Sequence, residues 1–475
     1  MRESLLTLAD IVEVITGIRP AGASLAISEA SIDSRQVIPG SLFVALPGER
    51  VDGHNFVAEA FRRGAQIALV QRDLSGDFPV VDLRGGHLPE GFQAPTTACC
   101  LWVDDSLQAL QAIARYWRRK LDLTVIGITG SVGKSTTKEL VAEVLSQRYR
   151  TFKNPGNLNN EIGLPLTLLR LGRGHERAVL EMGFYVSGEI AFLCDLALPT
   201  IGVVTNVGTV HAERAGSQAA IAQGKAELIQ ALPGDGWAIL NYDDEWVRAM
   251  AGQTQARIFF YGLDKSADLW ADRIEGLGLE GIRFRLHYHN EVLHLRVPLI
   301  GRHSVHTALR AAAVGLVEGL SWQEIVSGLQ QGHTQLRLVA VHTQTGALIL
   351  DDTYNASPES TLAALNLLAE IEGHHIAVLG EMLELGYYEK QGHEMVGVRA
   401  AEVCQQLYVV GERGKIIHEA ARRAGMPASS ILWVKEPLDI VPYLKDNLQE
   451  GDVVLIKGSH GLRMDRIVSA LEVAS

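Results

Sequence analysis

The segment from Thr129 to Thr137 constrains the fold of this chain more than any other. It contains Gly130, Ser131, Val132, Gly133, Lys134, Ser135 and Thr136. An apolar run at 123–128 precedes it and predicts a buried strand, and residues 138–145 follow with helical spacing. Strand, glycine-rich turn, Gly-Lys-Ser and helix form the context of a phosphate-binding loop. Glycines let the backbone approach an anion, and amides at the positive helix end face it.

The loop therefore predicts ATP as a ligand, with all seven of these residues binding it. Lys134 would reach the β- and γ-phosphates, and the Ser135 hydroxyl would hold Mg²⁺. The generic pattern expects a further glycine where Ile128 stands, so this is a shorter variant. The alternative is a chance glycine-rich turn between a strand and a helix.

Strand and helix patterns alternate along the chain and predict an α/β fold with mostly parallel sheets. The length of 475 residues suggests about three domains. We expect a small α/β domain at 1–103, a central P-loop ATPase-type domain at 104–333 and a Rossmann-like domain at 334–475. A helix is expected at 106–120 and a hairpin at 280–298.

Composition excludes several classes of function. A net charge of −12 argues against a nucleic-acid partner. Four cysteines without metal-ligand spacing indicate reduced thiols. The N-terminus shows no signal-peptide pattern, and no run is long and apolar enough to insert into a membrane. A cytoplasmic enzyme is the expectation.

Polar residues at predicted strand ends are the candidates for chemistry. Glu181 ends the predicted strand 177–182 and suits Mg²⁺, although a lone Glu there often faces solvent. His211 follows the predicted strand 201–207 and could bind a cation or donate a proton, or simply be exposed. Lys225 lies on the predicted helix 217–232, where lysines are usually solvated.

Two further clusters point to polar ligands. Asn157, Asn159 and Asn160 would recognise a substrate through their amides, or form a polar turn. The run 351–358 follows the first predicted strand of the last domain; it contains Asp352, Tyr354 and Asn355, and its carboxylates could bind a ribose or orient an amine. Arg337 could supply a phosphate-binding guanidinium, or be an ordinary linker residue.

Together these motifs resemble the Mur ligase family over essentially the whole chain. Residues 33–45 and 52–54 resemble its uridine-nucleotide-binding domain, and 129–137 its own short phosphate loop. Residues 157–165 resemble its substrate-contacting Asn motif. The resemblance implies substrate contacts at these residues: Ser34, Arg35, Asp52, Gly53, His54, Asn157, Asn159, Asn160, Tyr354 and Asn355.

The resemblance also implies the metal and nucleotide sites. Ser135, Glu181, His211 and Lys225 would hold Mg²⁺, with Lys225 at the position of a lysine that is carbamylated in many members. Asp352 and Arg337 would bind ATP. Where the family often has two Asn after Gly301, this chain has Ser304 and Thr307, so only His303 is carried over there.

Within the family, residues 379–386, His393 and 457–461 resemble the branch that adds D-alanyl-D-alanine, although His460 stands where Arg is common. The Asp-Asn-Pro-Arg element of a sister branch is absent. The implied reaction joins D-alanyl-D-alanine to UDP-N-acetylmuramoyl-tripeptide through an acyl phosphate, with ATP and Mg²⁺, in a monomer. Lys134, Lys225, His211 and Arg337 would be catalytic. The alternatives are another ligase of the family and a P-loop kinase or ATPase.

Overall fold

A computed structural model describes residues 5–48, 51–209, 213, 216–331, 339–343 and 345–471. The chain divides into two compact units. The first contains residues 1–127, 149–183 and 189–201, and the second contains residues 128–148, 184–188 and 202–475. Within the described residues, no helix combines the length and the apolar character that crossing a lipid bilayer requires.

The described helices are numbered α1 to α15 in chain order. They span Leu8–Thr16, Val57–Arg62, Ser106–Arg119, Lys134–Ser146, Gly163–Leu168, Glu189–Ala197, Gln218–Gln230, Glu245–Ala249, Val305–Val317, Trp322–Gln331, Pro358–Glu370, Glu389–Val403, Gly414–Arg423, Val441–Asn447 and Asp465–Leu471.

The described strands are numbered β1 to β20 in the same way. They span Ala30–Ser31, Leu42–Val44, Ile67–Val70, Val80–Asp82, Cys99–Trp102, Thr124–Thr129, Thr151–Lys153, Arg177–Glu181, Ile201–Val204, Trp237–Asn241, Arg257–Gly262, Leu269–Gly276, Ile282–Tyr288, Glu291–Val297, Val339–His342, Leu348–Asp352, His374–Gly380, Gln406–Val410, Ile431–Val434 and Asp452–Lys457.

A five-stranded parallel sheet forms the N-terminal part of the first unit, in the order β1-β2-β3-β5-β4. Its inner strands are continuous apolar runs, as strands buried on both faces require. Phe43, Ala68 and Cys100 share one register line and one apolar cluster. Burial raises the pKa of Cys99 and Cys100 to about 12, so these thiols are unreactive core residues.

The predicted helix at 106–120 is confirmed as α3, which ends one residue earlier, at Arg119. Asp105 caps it, because one carboxylate oxygen accepts hydrogen bonds from the amides of Leu107 and Gln108 at 2.8 and 2.9 Å. Its buried face includes Leu110 and Ile113.

The second sheet has nine strands in the order β14-β13-β12-β11-β10-β9-β6-β8-β7. Strands β10, β11 and β12 pair in parallel, as do β7 and β8. The predicted hairpin is confirmed as β13 and β14, which pair antiparallel with Tyr288 opposite Glu291. His289 adopts a positive φ of 49° in its turn.

The third sheet has the order β15-β16-β20-β17-β18-β19 and is parallel except for β15 against β16. Alternate residues of its strands enter two apolar clusters. Leu350 and Leu455 belong to one, and Ile349 and Ile456 to the other. Both faces are therefore covered, which confirms the predicted doubly wound architecture. The sequence did not predict β15 and β19.

Candidate functional site

The predicted phosphate loop connects β6 to α4, which begins at Lys134. Two of its glycines occupy backbone conformations that favour glycine, with φ of 146° at Gly130 and 81° at Gly133. A Cβ atom added to Gly130 would lie 1.8 Å from the hydroxyl oxygen of Thr205. The close approach of these two residues therefore requires a glycine at position 130.

The segment after β9 supports the loop from one side. The Asn206 side chain accepts a hydrogen bond from the Val132 amide at 2.9 Å and donates one to the Val132 carbonyl at 3.2 Å. The Thr205 hydroxyl donates to the same carbonyl at 2.7 Å. The Gly208 amide donates to the Ser131 hydroxyl at 2.8 Å. These contacts fix the loop at Ser131 and Val132.

This arrangement also explains why the predicted strand 201–207 is too long. Strand β9 ends at Val204 because Thr205 and the residues after it turn to contact the loop. Sequence reasoning named this segment only as the end of a strand and missed the role of Asn206. Its position just after an apolar strand was the one available signal.

Lys134 is half-buried at the start of α4. Its ammonium donates hydrogen bonds to the carbonyls of Gly130 and Ser131, at 2.8 and 3.3 Å. The cation therefore lies over the loop, where it can reach an anion held by the loop amides. Ser135 and Thr136 follow it in the first turn and are also half-buried.

Lys225 is buried within α7, with 1% of its surface exposed. Its ammonium lies 4.8 Å from the centre of the Phe184 ring. Burial, reinforced by the positive charge of Lys134, holds the pKa of Lys225 well below its usual value of 10.5. Nothing in the local sequence predicted this burial. The lowered pKa increases the fraction of neutral amine, which is the form that reacts with CO₂.

The segment that supports the loop has two acidic partners of its own. Asp244 accepts a hydrogen bond from the Val207 amide at 2.8 Å and caps α8. Glu359, in the first turn of α11, accepts hydrogen bonds from the amide and the hydroxyl of Thr209. A Cβ atom on Gly208 would lie 2.7 Å from the Glu359 carboxylate. The predicted residues His211 and Arg337 lie outside the described residues.

The predicted nucleotide residue His303 is exposed just before α9. It borders a cavity of about 380 Å³ together with Arg302, Asn366, Leu367, Ala369, Glu370 and Arg399. The two residues that replace the family's Asn are engaged internally. Ser304 donates a hydrogen bond to the Ile300 carbonyl at 2.7 Å, and Thr307 accepts one from Arg310 at 2.8 Å.

His306 lies 2.7 Å from the Asp243 carboxylate, with its ring nitrogen directed at one oxygen. Burial alone would raise the pKa of Asp243, but hydrogen bonds from His306 and from the Leu263 amide hold it below its usual value. Asp243 is therefore an anionic partner for His306 at neutral pH.

In the first unit, Glu181 ends β8 with 2% of its surface exposed. The Asn159 side chain donates a hydrogen bond to its carboxylate at 2.9 Å. The Glu181 amide donates to the side chain of Asn154, a fully buried residue that sequence reasoning missed. Glu181 is thus positioned by two Asn side chains and does not face bulk solvent.

The other two Asn of the predicted cluster differ in their surroundings. The side-chain oxygen of Asn160 accepts a hydrogen bond from the Gly163 amide at 2.8 Å, at the start of α5. Asn157 is exposed. The polar-turn interpretation therefore applies to Asn160. The recognition interpretation stays a prediction for Asn157 and Asn159.

The predicted uridine-site residues have two kinds of role. His54 is buried; its Nδ1 lies 2.6 Å from Asp52, and its Nε2 accepts a hydrogen bond from the Gln71 amide. Gly53 packs against the backbone of Leu46, where a Cβ atom would lie 2.8 Å from the Leu46 nitrogen. These contacts fix the loop.

The two residues of the other predicted uridine-site motif differ in exposure. The hydroxyl of the buried Ser34 donates to Glu59 at 3.2 Å. Arg35 has 79% of its side chain exposed and pairs with Asp33. A guanidinium in that position remains accessible to an anionic ligand.

In the third sheet, Asp352 forms an ion pair with Lys457, and the ammonium lies 2.7 Å from the carboxylate. The side chain of Lys457 is only 2% exposed. The same ammonium donates to the Asn355 carbonyl at 2.8 Å. Tyr354 is exposed, and its ring packs edge-on against His460 at 6.2 Å. The structure thus brings together Asp352, Tyr354, Asn355 and the run that begins at Lys457.

His393 and Ser459 organise the predicted motif at 379–386. The buried His393 accepts a hydrogen bond from the Met382 amide at 3.1 Å, and burial lowers the pKa of its ring. The Ser459 hydroxyl accepts one from the Leu383 amide at 3.0 Å. Among the described residues, which exclude His211, no group of three His, Cys, Asp or Glu side chains could hold a metal ion.

Family models match most of the chain. The model described as "Mur ligase family, catalytic domain" matches residues 26–118. "Mur ligase middle domain" matches residues 128–315, and "Mur ligase, glutamate ligase domain" matches residues 336–460.

Individual proteins are similar over nearly the full length. A UDP-N-acetylmuramoyl-tripeptide–D-alanyl-D-alanine ligase of Synechocystis is 37% identical, covering 94% of this chain and 92% of the relative. The crystal structure of MurF from Acinetobacter baumannii superposes with a TM-score of 0.83 at 29% identity, covering 98% and 99% of the two chains. MurF ligase from Thermotoga maritima, in complex with ADP, superposes with a TM-score of 0.76 at 27% identity, covering 97% and 98%.

Proposed function

The chain belongs to the Mur ligase family, and we propose from this premise that it joins D-alanyl-D-alanine to UDP-N-acetylmuramoyl-tripeptide at the expense of ATP. The products are the UDP-N-acetylmuramoyl-pentapeptide, ADP and phosphate. The observation that carries the proposal is the supported phosphate loop with Lys134 lying over it. We infer the substrates from those of the similar ligases.

The first step is transfer of the γ-phosphoryl group. A carboxylate oxygen of the tripeptide attacks the γ-phosphorus, the bond to ADP breaks, and an acyl phosphate forms. Lys134 and the amides of the loop donate hydrogen bonds to the phosphoryl oxygens as charge builds on them. Because Asn206 and Thr205 already fix the loop at Val132, the loop amides need little rearrangement. The Lys134 ammonium exchanges its bonds to the Gly130 and Ser131 carbonyls for bonds to the phosphoryl oxygens.

The second step forms the amide. The dipeptide amine attacks the acyl carbon, the bond to phosphate breaks, and the amine loses a proton. We propose that the exposed Tyr354 and the Asp352 and Asn355 segment contribute to binding beside the reacting groups. Arg337 and His303 remain proposed nucleotide ligands, and His211 a proposed metal ligand.

The donor chemistry fits Mg²⁺, a hard cation that prefers oxygen ligands. The hydroxyl of Ser135, the carboxylate of Glu181 and a carbamate on Lys225 are such ligands, with His211 as a further one. Bound Mg²⁺ would neutralise phosphate charge. The lowered pKa of Lys225 supports the carbamate, because only a neutral amine reacts with CO₂.

We assign three domains to these tasks. Residues 1–103 bind the uridine nucleotide with Ser34, Arg35, Asp52, Gly53 and His54, the last three mainly by shaping a loop. Residues 104–333 bind ATP, and Asn157, Asn159 and Asn160 contact the tripeptide substrate. Residues 334–475 complete the ligase site. We place the reaction in the cytoplasm, where reduced thiols such as the four buried cysteines persist.

The test is phosphate release from ATP and Mg²⁺ with UDP-N-acetylmuramoyl-tripeptide, with and without D-alanyl-D-alanine. Release that needs both substrates, with a product heavier by one dipeptide, is expected. A Lys134→Ala variant should fold normally and release at most about a hundredth as much phosphate. Phosphate release that requires a single amino acid in place of the dipeptide would instead indicate another ligase of the same family. Release that ignores both substrates would overturn the proposal.

A further inference from the structure

Arg310 is a buried cation on α9 with few partners. It has 4% of its surface exposed. Its guanidinium donates hydrogen bonds to the hydroxyls of Thr307 at 2.8 Å and Tyr261 at 3.5 Å. Its Nε is buried and has no hydrogen-bond partner among the described residues. Both partners of the guanidinium are neutral.

No carboxylate among the described residues forms an ion pair with Arg310. The nearby acids are engaged elsewhere. Asp243 bonds to His306 and to the Leu263 amide, and Asp244 bonds to the Val207 amide and caps α8. A guanidinium stays protonated in proteins, and a buried charge without a counter-charge is costly. The fold therefore keeps a cation whose anion is not part of the described chain.

The guanidinium lies next to the phosphate loop. A Cβ atom added to Gly133 would lie 3.3 Å from one of its terminal nitrogens. Gly133 is the residue before Lys134, at the amino end of α4. The loop amides, the helix end and the Lys134 ammonium are all donors for an anion. Arg310 adds a second fixed positive charge at the same turn.

We propose that Arg310 is a further nucleotide-binding residue, whose guanidinium binds a phosphate group of ATP. Thr307 and Tyr261 hold the guanidinium in place, since each accepts one of its hydrogen bonds. This inference rests on the proposed function, because it takes ATP as the ligand of the loop. Thr307 thus acts indirectly, by positioning the guanidinium that binds the phosphate.

The experiment measures displacement of a fluorescent ATP analogue from Arg310→Met by three competitors: MgATP, inorganic tripolyphosphate and adenosine. Loss of a charged hydrogen bond should weaken the binding of MgATP and tripolyphosphate by about tenfold or more. The affinity for adenosine should stay unchanged. Arg310→Lys keeps the positive charge but loses the two-pronged set of N–H donors. Its affinity for MgATP and tripolyphosphate should therefore lie between those of wild type and Arg310→Met. Arg248→Met is the control, because Arg248 packs on Tyr242 and bonds to its carbonyl.

Unchanged affinity for MgATP and tripolyphosphate in a folded Arg310→Met protein would overturn the inference. An equal loss for adenosine would do so as well, because it would indicate a general structural defect. If both Arg310 variants fail to fold, the wild-type crystal structure with ADP or a non-hydrolysable ATP analogue decides. A guanidinium nitrogen within about 3.5 Å of a phosphate oxygen is expected, and none within that distance contradicts the proposal.

The two proposals fail differently. Wild-type protein that does not bind MgATP at all would refute the ligase function. Wild-type protein that binds MgATP and makes the pentapeptide, with Arg310→Met unaffected in binding, would refute only the role of Arg310.

Discussion

One carboxylate oxygen of Glu359 accepts hydrogen bonds from both the amide and the hydroxyl of Thr209, at 3.1 and 3.2 Å. Thr209 ends the segment that supports the phosphate loop, whereas Glu359 lies in the first turn of α11, in the region that we assign to the third domain. The second carboxylate oxygen is buried and has no partner among the described residues. The Glu359 side chain therefore connects α11 to the segment that supports the phosphate loop.

We expect Glu359→Ala to loosen the segment from Thr205 to Thr209. Two donors lose their acceptor, which should cost about 1 kcal/mol, because Thr209 is half-buried and water can partly replace the carboxylate. Hydrogen exchange at the amides of this segment should become faster, and the protein should unfold at lower denaturant concentration. Glu372→Ala, at an exposed position just after α11, is the control. Unaltered exchange at Thr209 would contradict the expectation.

Gly130→Ala should disable the phosphate loop. The added Cβ would lie 1.8 Å from the Thr205 hydroxyl oxygen, and a φ of 146° disfavours alanine. Displacing the loop by about an ångström should lower turnover by about a hundredfold. Gly252→Ala, where nothing lies within 4 Å of the new atom, should leave steady-state turnover intact. Equal activity of the two variants would show that the close approach is not required.

Lys225→Met should stabilise the protein at neutral pH in buffer free of CO₂. The folded pKa of Lys225 lies below its unfolded value of 10.5, so between these values the unfolded chain binds a proton that the folded chain lacks. Wild-type stability therefore rises with pH over this window, by up to about 1.4 kcal/mol per pH unit. The difference in free energy of unfolding between Lys225→Met and wild type should therefore shrink as the pH approaches 10.5. Urea titrations at several pH values test this, and a constant difference would exclude the buried neutral amine.

Bicarbonate should activate wild-type enzyme that has been stripped of CO₂. The lowered pKa of Lys225 favours the neutral amine, which can form a carbamate whose oxygens would serve as anionic ligands for Mg²⁺. Phosphate release by the stripped enzyme should rise on addition of bicarbonate, whereas Lys225→Met should stay at its low rate. Activity that is independent of bicarbonate would count against carbamylation of Lys225.

Asp352→Asn should lower the free energy of unfolding by about 3–5 kcal/mol, because it leaves the buried Lys457 ammonium without its counter-charge. Adding Lys457→Met should recover much of that loss, because the pair is then replaced by neutral groups. Denaturant unfolding of both single variants and the double variant forms the thermodynamic cycle. Additive effects would show that the two charges do not interact.

The local chemistry of the chain determined what could be predicted. The phosphate loop and four of the six strands of the third sheet follow from patterns of a few adjacent residues. The sequence predicts strands at 347–351, 376–380, 406–410 and 452–456, each within two residues of the ends of β16, β17, β18 and β20. The shortened β9 was missed because Thr205 turns toward a loop more than seventy positions earlier in the chain.

Contacts between distant positions account for the other missed features. The burial of Lys225 depends on Phe184, and the place of Arg310 depends on Gly133 and Tyr261. The role of Asn154 depends on Glu181. None of these pairings leaves a periodic or short-range signal in the sequence.

The contacts of Asn206 and Thr205 with the phosphate loop have a thermodynamic consequence. Residues 130–133 lose their conformational entropy when the protein folds, so little remains to be lost when a nucleotide arrives. Association should then be limited mainly by diffusion and by displacement of solvent, and the entropy change on binding should reflect released water more than ordered backbone.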